Sequence, residues 1–284
     1  MTNGSILVTG ASTGIGEACA LHFDRQGWEV FAGVRRTEDG ERLRSQGSDR
    51  LRTLLLDVTD PASIELAVKE ITAVVGDGGL TAVVNNAGVG FGGPVEYVPL
   101  DDWRRQFEVN VVGQVAVTQA VLPLIRRARG RIVFMGSIGG RVASPFIAPY
   151  AASKHAIEAI AEAMRHELAE WGIRVVVVEP GAVATPIWDK AESTADDIEA
   201  ALPPEGLELY RESIAGLRKA IKFQARSGVD PTVVARVVER AVTSSRPAAR
   251  YLVGRDAKLM AVLAHFPDRA RDVAQRTIVK LASR

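Results

Sequence analysis

Tyr150 and Lys154 stand four residues apart in Pro149-Tyr150-Ala151-Ala152-Ser153-Lys154-His155-Ala156, with only small residues between them. On a helix this spacing puts both side chains on one face, one turn apart. A phenol titrates near 10, and bringing it to about 7 takes about 4 kcal/mol of preferential stabilisation of the phenolate. A neighbouring ammonium is one of the few groups that can supply this, so the pair reads as a proton donor and acceptor tuned for neutral pH. The same spacing also fits a plain helix start with a buried aromatic and a solvated lysine. Ser137, in Met135-Gly136-Ser137-Ile138-Gly139-Gly140, offers a hydroxyl that can orient a substrate oxygen; serine before two glycines is equally common loop chemistry. Asn110 lies in a helical stretch that asparagine does not favour, which points to a kink or a capping side chain.

The elements that must position these groups alternate. Seven short apolar runs, at 5–10, 29–34, 52–58, 81–86, 131–137, 173–181 and 250–254, read as parallel strands covered on both faces. Helical patterns lie between them at 14–26, 61–75, 102–128, 150–171 and 230–244. This alternation predicts an α/β fold, a doubly wound seven-stranded parallel sheet with helices on both faces, in a single domain over 1–284. Ligands then bind beyond the carboxyl ends of the strands.

Those strand ends carry further candidates. Thr9-Gly10-Ala11-Ser12-Thr13-Gly14-Ile15-Gly16 runs into a helix start, where glycines admit close backbone approach and free N–H groups attract a pyrophosphate. Strand three ends at Asp57-Val58; the carboxylate can bind a ligand or cap the helix beginning at Asp60-Pro61. After strand four come Asn86-Ala87-Gly88, with Asn86 read either as a tie between strands or as a ligand contact. Strand six runs into Pro180-Gly181-Ala182-Val183-Ala184-Thr185.

Taken in order, Thr9-Gly-x-x-x-Gly-Ile-Gly, Asn85-Asn86-Ala87-Gly88, Ser137 and Tyr150-x-x-x-Lys154 resemble the short-chain dehydrogenase/reductase family, in its shorter branch, over about residues 4–254. The resemblance implies hydride transfer between a nicotinamide cofactor and a carbonyl or alcohol. Tyr150 is then the acid/base. Lys154 lowers its pKa, helped by the positive oxidised nicotinamide, and holds the nicotinamide ribose. Ser137 orients the substrate oxygen, and Asn110 ties a water to Lys154 in a proton relay. Gly10, Ser12, Thr13, Gly14, Ile15 and Gly16 form the phosphate loop. Asp57, beside Val58, binds the adenine amino group, and Asn86, Ala87 and Gly88 border the adenosine ribose. Pro180 and Gly181 shape the segment over the nicotinamide, whose carboxamide is held by Val183 and Thr185. Versions that bind NAD place an acid at the end of strand two. Here Val34-Arg35-Arg36 has none until Glu38, so Arg35 suits a 2′-phosphate. NADP(H) is expected to be preferred and NAD(H) possible; the alternative is that Arg35 and Arg36 form a solvated loop.

The stretches 93–114 and 178–188 look most like members acting on retinol, 17β-hydroxysteroids and similar apolar alcohols. Residues 186–228 interrupt the alternation and read as a helical substrate lid carrying Ile187, Trp188, Leu202, Leu207, Leu209, Tyr210 and Phe223, with Phe91, Val142, Phe146 and Ile147 opposite. Residues 255–284 form a helical extension with seven Lys or Arg against three Asp, expected to pack on the domain as a solvated helix. Ala152, Ala156, Ala159 and Ala163 give the helix at 150–171 a face of small residues, which together with the resemblance implies a homodimer or homotetramer.

A net charge of +1 argues against a nucleic-acid partner, and one cysteine, Cys19, excludes an internal disulfide or a Cys-based zinc site. The four histidines have no metal-ligand spacing, so no metal is expected. No signal segment or run of about 18 apolar residues is read, which gives the expectation of a cytoplasmic protein without a transmembrane segment. Two other functions fit parts of the pattern: a non-catalytic dinucleotide sensor, and a sugar-nucleotide epimerase or dehydratase of the extended branch.

Overall fold

A computed structural model describes residues 3–185, 196, 199–200 and 202–283. Within them, strands β1 Ser5–Val8, β2 Glu29–Val34, β3 Leu51–Leu55, β4 Ala82–Asn85, β5 Arg131–Met135, β6 Arg174–Pro180 and β7 Arg250–Val253 form one parallel sheet in the order β3-β2-β1-β4-β5-β6-β7. Helices α1 Gly14–Arg25, α2 Thr37–Arg44, α3 Pro61–Val75, α4 Leu100–Phe107, α5 Gly113–Ala128 and α6 Ala148–Glu167 connect the strands up to β6. Beyond it come α7 Pro204–Ser227, α8 Pro231–Thr243, α9 Arg255–Leu263 and α10 Asp268–Ser283. The expected doubly wound sheet is present.

Alternation along the strands divides the core between two faces. Ile6 and Val8 pack with Phe23 of α1 and with Val234 and Val238 of α8. Leu7 points the other way, to Ile71 of α3, Ile125 of α5 and Ile157 of α6. Cys19 is fully buried on α1, and burial pushes its thiol up to about 12, as suits an inert core residue. β1 winds outward to β2 on one side and pairs with β4 on the other, so the crevice opens where the loops after β1 and β4 part.

Most strands end before their apolar runs do, leaving Asp57, Asn86 and Ser137 in loops just past the sheet. α3 begins as Asp60-Pro61 predicts, with the Asp60 carboxylate accepting from the N–H of Ala62 at 3.0 Å. α2 has no counterpart in the sequence reading: only Gly40 and Leu43 of its eight residues are buried, too few to print a helical apolar period. The helix expected at 102–128 begins at Leu100 and widens into a π turn at Glu108–Val112. The one expected at 150–171 begins at Ala148 and closes with a separate 3-10 turn, Ala169–Trp171.

Leu100–Ala128 contains an 18-residue window of mean hydropathy 1.3, long and apolar enough to cross a membrane by length and composition alone, where the sequence reading found no apolar run of that length. Half of its apolar window is buried against the fold, including Val117, Val121 and Ile125. Of the expected lid, Ile187, Trp188 and the Phe223 side chain lie outside the described residues. The C-terminal extension packs on α7 through α10, and Gln275 Nε2 donates to the carbonyl of Ala143 at 3.0 Å.

Candidate active site

The loops after β1 and β4 are bound into one unit. Thr9 Oγ1 accepts from the N–H groups of Asn86 and Ala87, each at 3.0 Å. Asn86 Nδ2 donates back to the carbonyls of Thr9 and Gly10, at 3.0 and 3.1 Å. The tie between strands is therefore made by this side chain. Gly10 and Gly14 have φ of +62° and +61°, the left-handed region that glycine enters without strain. A Cβ on Gly16 would collide with the Gly10 carbonyl, and one on Gly14 would lie 3.1 Å from Thr185 Cγ2. The β1 loop thus meets the segment after β6. Thr13, the N-cap of α1, makes no capping bond with its side chain, so the first N–H groups of the helix remain free of it. An uncapped helix start behind a glycine cradle fits the pyrophosphate of a dinucleotide.

The adenosine side of the crevice is polar. Asp57 Oδ1 accepts from the N–H of Thr59 at 2.9 Å and from its hydroxyl at 2.7 Å. Partial burial pushes the Asp57 carboxyl up, but the two Thr59 bonds with Arg35 and Arg105 outweigh it and hold the group below the ordinary carboxylate value. Arg36 is occupied by Asp39 at 3.0 Å. Arg35 is exposed and makes no hydrogen bond among the described residues. Arg42, from the unexpected α2, reaches over to bond the Ser12 carbonyl and Glu17.

Asn110, Ser137, Tyr150 and Lys154 converge at the ends of β4 and β5. The Asn110 side chain is buried in the π turn and grips Val89, accepting from its N–H at 2.8 Å and donating to its carbonyl at 2.9 Å. It also donates to Ser153 Oγ at 3.3 Å. Gln106, four residues earlier, holds the same loop through the N–H of Phe91 and the carbonyl of Val89. No sequence signal marks Gln106 or Ser153; the four-residue spacing of Gln106 from Asn110 becomes informative only once the loop after β4 is known to pass there.

Ser137 caps a 3-10 turn, its hydroxyl accepting from the N–H of Gly139 at 3.1 Å, and it lies close enough to Tyr150 to favour the phenolate. Lys154 is buried, and its Nζ donates to the Met135 carbonyl at 2.7 Å while lying 5.6 Å from the centre of the Tyr150 ring. Burial pushes the Tyr150 phenol above its ordinary value, with Ser137 opposing. Burial outweighs Ser137, so the net direction is upward, and Lys154 is not among the causes of the shift. Burial likewise lowers Lys154 to about 8, against the pull of Glu158. His155 turns away and bonds the Ala151 carbonyl, as expected of a residue with no role here.

Beyond these four residues an apolar wall forms. Tyr210 of α7 stands edge-on to both Tyr97 and Phe146, at 6.1 Å each, and bonds Glu96. Phe146 has φ of +68°, an unusual conformation for a bulky residue that its carbonyl's bond from the Gly93 N–H, at 2.7 Å, helps fix. Leu202 is buried with this group, whereas Leu209 is 63% exposed and faces away from any lining. A cavity of about 460 Å³ lies elsewhere, between Arg141, Leu252 and α9, and contains none of the expected site residues.

Comparison with known proteins agrees with this geometry. A family model described as short chain dehydrogenase matches residues 5–196. An NADPH-dependent 3-dehydrocapnine reductase from Ornithobacterium rhinotracheale is 38% identical over 273 residues, covering 94% of each chain. Retinol dehydrogenase 5 from Homo sapiens is 38% identical over 91% of this chain and 83% of its own. Estradiol 17-beta-dehydrogenase 2 from Mus musculus is 38% identical over 92% of this chain and 71% of its own. Among solved structures, a short-chain dehydrogenase from Streptomyces avermitilis superposes with a TM-score of 0.78 at 26% identity, covering 99% of this chain and 98% of that one.

Proposed function

Because the chain belongs to the short-chain dehydrogenase family, whose members are NAD(P)-dependent oxidoreductases, we propose that it interconverts a hydrophobic ketone or aldehyde and its alcohol, of retinoid, steroid or lipid-like character. The observation that carries the reading is the Tyr150 ring with the Lys154 ammonium 5.6 Å from its centre, Lys154 being anchored on the Met135 carbonyl and Ser137 close enough to favour the phenolate. When bound, the cofactor supplies the hydride acceptor or donor and, oxidised, a positive charge near the phenol. Tyr150 Oη gives its proton to the substrate oxygen in reduction and takes it back in oxidation. Ser137 Oγ donates to that oxygen and keeps it beside Tyr150. Lys154 keeps a positive charge on the phenol's flank, and Asn110 ties the water that links Lys154 to solvent. Gly10 to Gly16 cradle the pyrophosphate, Asp57 Oδ2 takes the adenine amino group, and the Val183–Thr185 segment holds the carboxamide.

The Tyr97–Phe146–Tyr210 wall supports an apolar substrate, as do the retinol and steroid dehydrogenases among the relatives. NADP(H) is preferred on this reading, because Arg35, just past the end of β2, is exposed and makes no hydrogen bond among the described residues, and one relative is an NADPH-dependent reductase. The exposed Ala159 and Ala163 of α6 support self-association to a homodimer or homotetramer. The decisive experiment is a panel of retinoid, steroid and aliphatic carbonyls and alcohols, run with NADPH and NADH on the wild type and on Arg35→Ser. The wild type turns over apolar members faster with NADPH. Arg35→Ser loses about tenfold in kcat/KM with NADPH, the worth of one charge-assisted bond, and little with NADH. Turnover confined to small charged substrates refutes the substrate class. Cofactor binding without turnover of any carbonyl favours the dinucleotide sensor, and activity on sugar nucleotides favours the epimerase or dehydratase.

A further inference from the structure

Behind Lys154, away from Tyr150, two carboxyl groups meet inside the protein. Glu158 lies one turn along α6 from Lys154, and Glu179 is the penultimate residue of β6. Each uses one oxygen on an arginine. Glu158 Oε2 accepts from Arg250 Nε at 2.8 Å, and Glu179 Oε1 accepts from Arg141 Nε at 2.7 Å. Arg250 Nε also lies 3.9 Å from Glu179 Oε1, so one guanidinium spans both acids. The other two oxygens, Glu158 Oε1 and Glu179 Oε2, are buried and have no donor among the described residues. The Glu179 side chain is wholly shielded and that of Glu158 is 12% exposed.

Two ionised carboxylates cannot present bare oxygens to each other in a shielded site without large repulsion, whereas a single proton turns the contact into a strong hydrogen bond. The site is built to keep the acids close. Gly136 leaves room for Glu158 Oε1, which an added Cβ there would approach to 3.3 Å. The charged groups facing the pair are Lys154 and Glu162 on α6, Arg141 after the 3-10 turn at Ile138–Gly140, and Arg250 on β7. Asp256, at the start of α9, is turned away to the N–H of Ala182 at 2.7 Å.

We propose that Glu158 and Glu179 share one proton in the folded protein, and that this sharing lets Glu158 keep its charge one turn from Lys154 as the positioning residue that holds the buried lysine in its ammonium form. Two directions agree with the geometry. Burial and the neighbouring Glu158 push Glu179 up to about 7, Arg141 opposing, and Glu158 is the group that raises Lys154 against its own desolvation. A lone buried lysine loses its proton readily. Glu158 supplies the opposing charge, and Glu179 makes a buried, charged Glu158 tolerable by carrying the proton between them.

The role of Lys154 in catalysis rests on the function proposed above, but the shared proton does not, and the test separates them. Two readouts are taken on the full-length protein without cofactor: the melting temperature against pH, and the titration of Lys154 by NMR with 13Cε-labelled lysine, its signal assigned by its loss in Lys154→Arg. Glu179 binds a proton in the folded state that it releases in the unfolded state, where its value is the ordinary 4.5. The resulting stability is therefore complete below about 4.5 and lost as pH rises through about 7. Glu158→Gln and Glu179→Gln should both flatten that dependence, since either leaves an amide that donates to the remaining acid. Only Glu158→Gln should move Lys154, downward from about 8 by about one unit or more. Glu179→Gln should leave it near the wild-type value. Uniform destabilisation at every pH, or equal movement of Lys154 in both variants, overturns the proposal. If the two titrations behave as stated while no carbonyl is turned over, the pair stands and the functional reading falls.

Discussion

Replacing Tyr150 by Phe lowers kcat for carbonyl reduction by about 10²–10⁴-fold, the usual share of a positioned general acid, while the dissociation constant for NADPH stays within about twofold. The substitution removes one oxygen and keeps the ring on which Lys154 sits at 5.6 Å. The Ser137 hydroxyl still accepts from the N–H of Gly139 at 3.1 Å, so the loop keeps its shape. What disappears is the proton at Oη. Because burial pushes the phenol upward, Tyr150 remains protonated through neutral pH, and reduction by the wild type should show no loss of rate between about pH 6 and 8 for want of the donor. Oxidation of the alcohol needs the phenolate and should climb over the same interval. Steady-state kinetics in both directions, beside fluorescence titration of NADPH, measure all of this. A Phe variant that keeps most of its reductase activity removes Tyr150 from the mechanism.

The sheet was legible because its strands are buried on both faces and so print continuous apolar runs, as Val175 to Val178 in β6 do. The site was legible where chemistry demands residue types at strand ends: the glycine loop, Ser137, and Tyr150 with Lys154. The illegible parts depend on partners distant in sequence. Asn110 reads as a misfit in a helix, and only the fold shows it clamping Val89, with Gln106 beside it. Arg42 lies on a helix too polar to leave a period, yet it reaches the phosphate loop at Ser12. Glu158 and Glu179 look like an ordinary surface acid and a strand-end acid, 21 positions apart in the chain. Their contact exists only because α6 lies across β6. The tuning of Tyr150 shows the same limit: the i, i+4 spacing brings an ammonium to the ring, but burial, which spacing cannot report, sets the direction of the phenol's shift.

Gly16→Ala tests the other half of the site, the cradle, and its expected effect is large for one methyl group. Gly16 has ordinary helical geometry in α1, where alanine is intrinsically favoured by about 1 kcal/mol, so propensity alone predicts stabilisation. The added Cβ, however, would fall within the contact radius of the Gly10 carbonyl oxygen and 2.6 Å from Asn86 Nδ2. These are the two partners of the bond that ties the loop after β1 to the loop after β4. Relieving the overlap means moving α1 away from the loop or breaking that bond. Overpacking of this kind costs about 1–3 kcal/mol, and loss of the half-buried hydrogen bond adds about 1. The sum exceeds the propensity gain, for a net destabilisation of about 2 kcal/mol by urea denaturation. NADPH affinity falls by at least about tenfold, because the N–H groups of the displaced helix start no longer converge on the phosphates. Gly78→Ala is the matched control, since a Cβ there meets nothing within 4 Å. It should leave both the denaturation midpoint and cofactor affinity as in the wild type. If Gly16→Ala binds NADPH as tightly as the control, the glycine loop is a turn that closes the fold and the dinucleotide is held elsewhere.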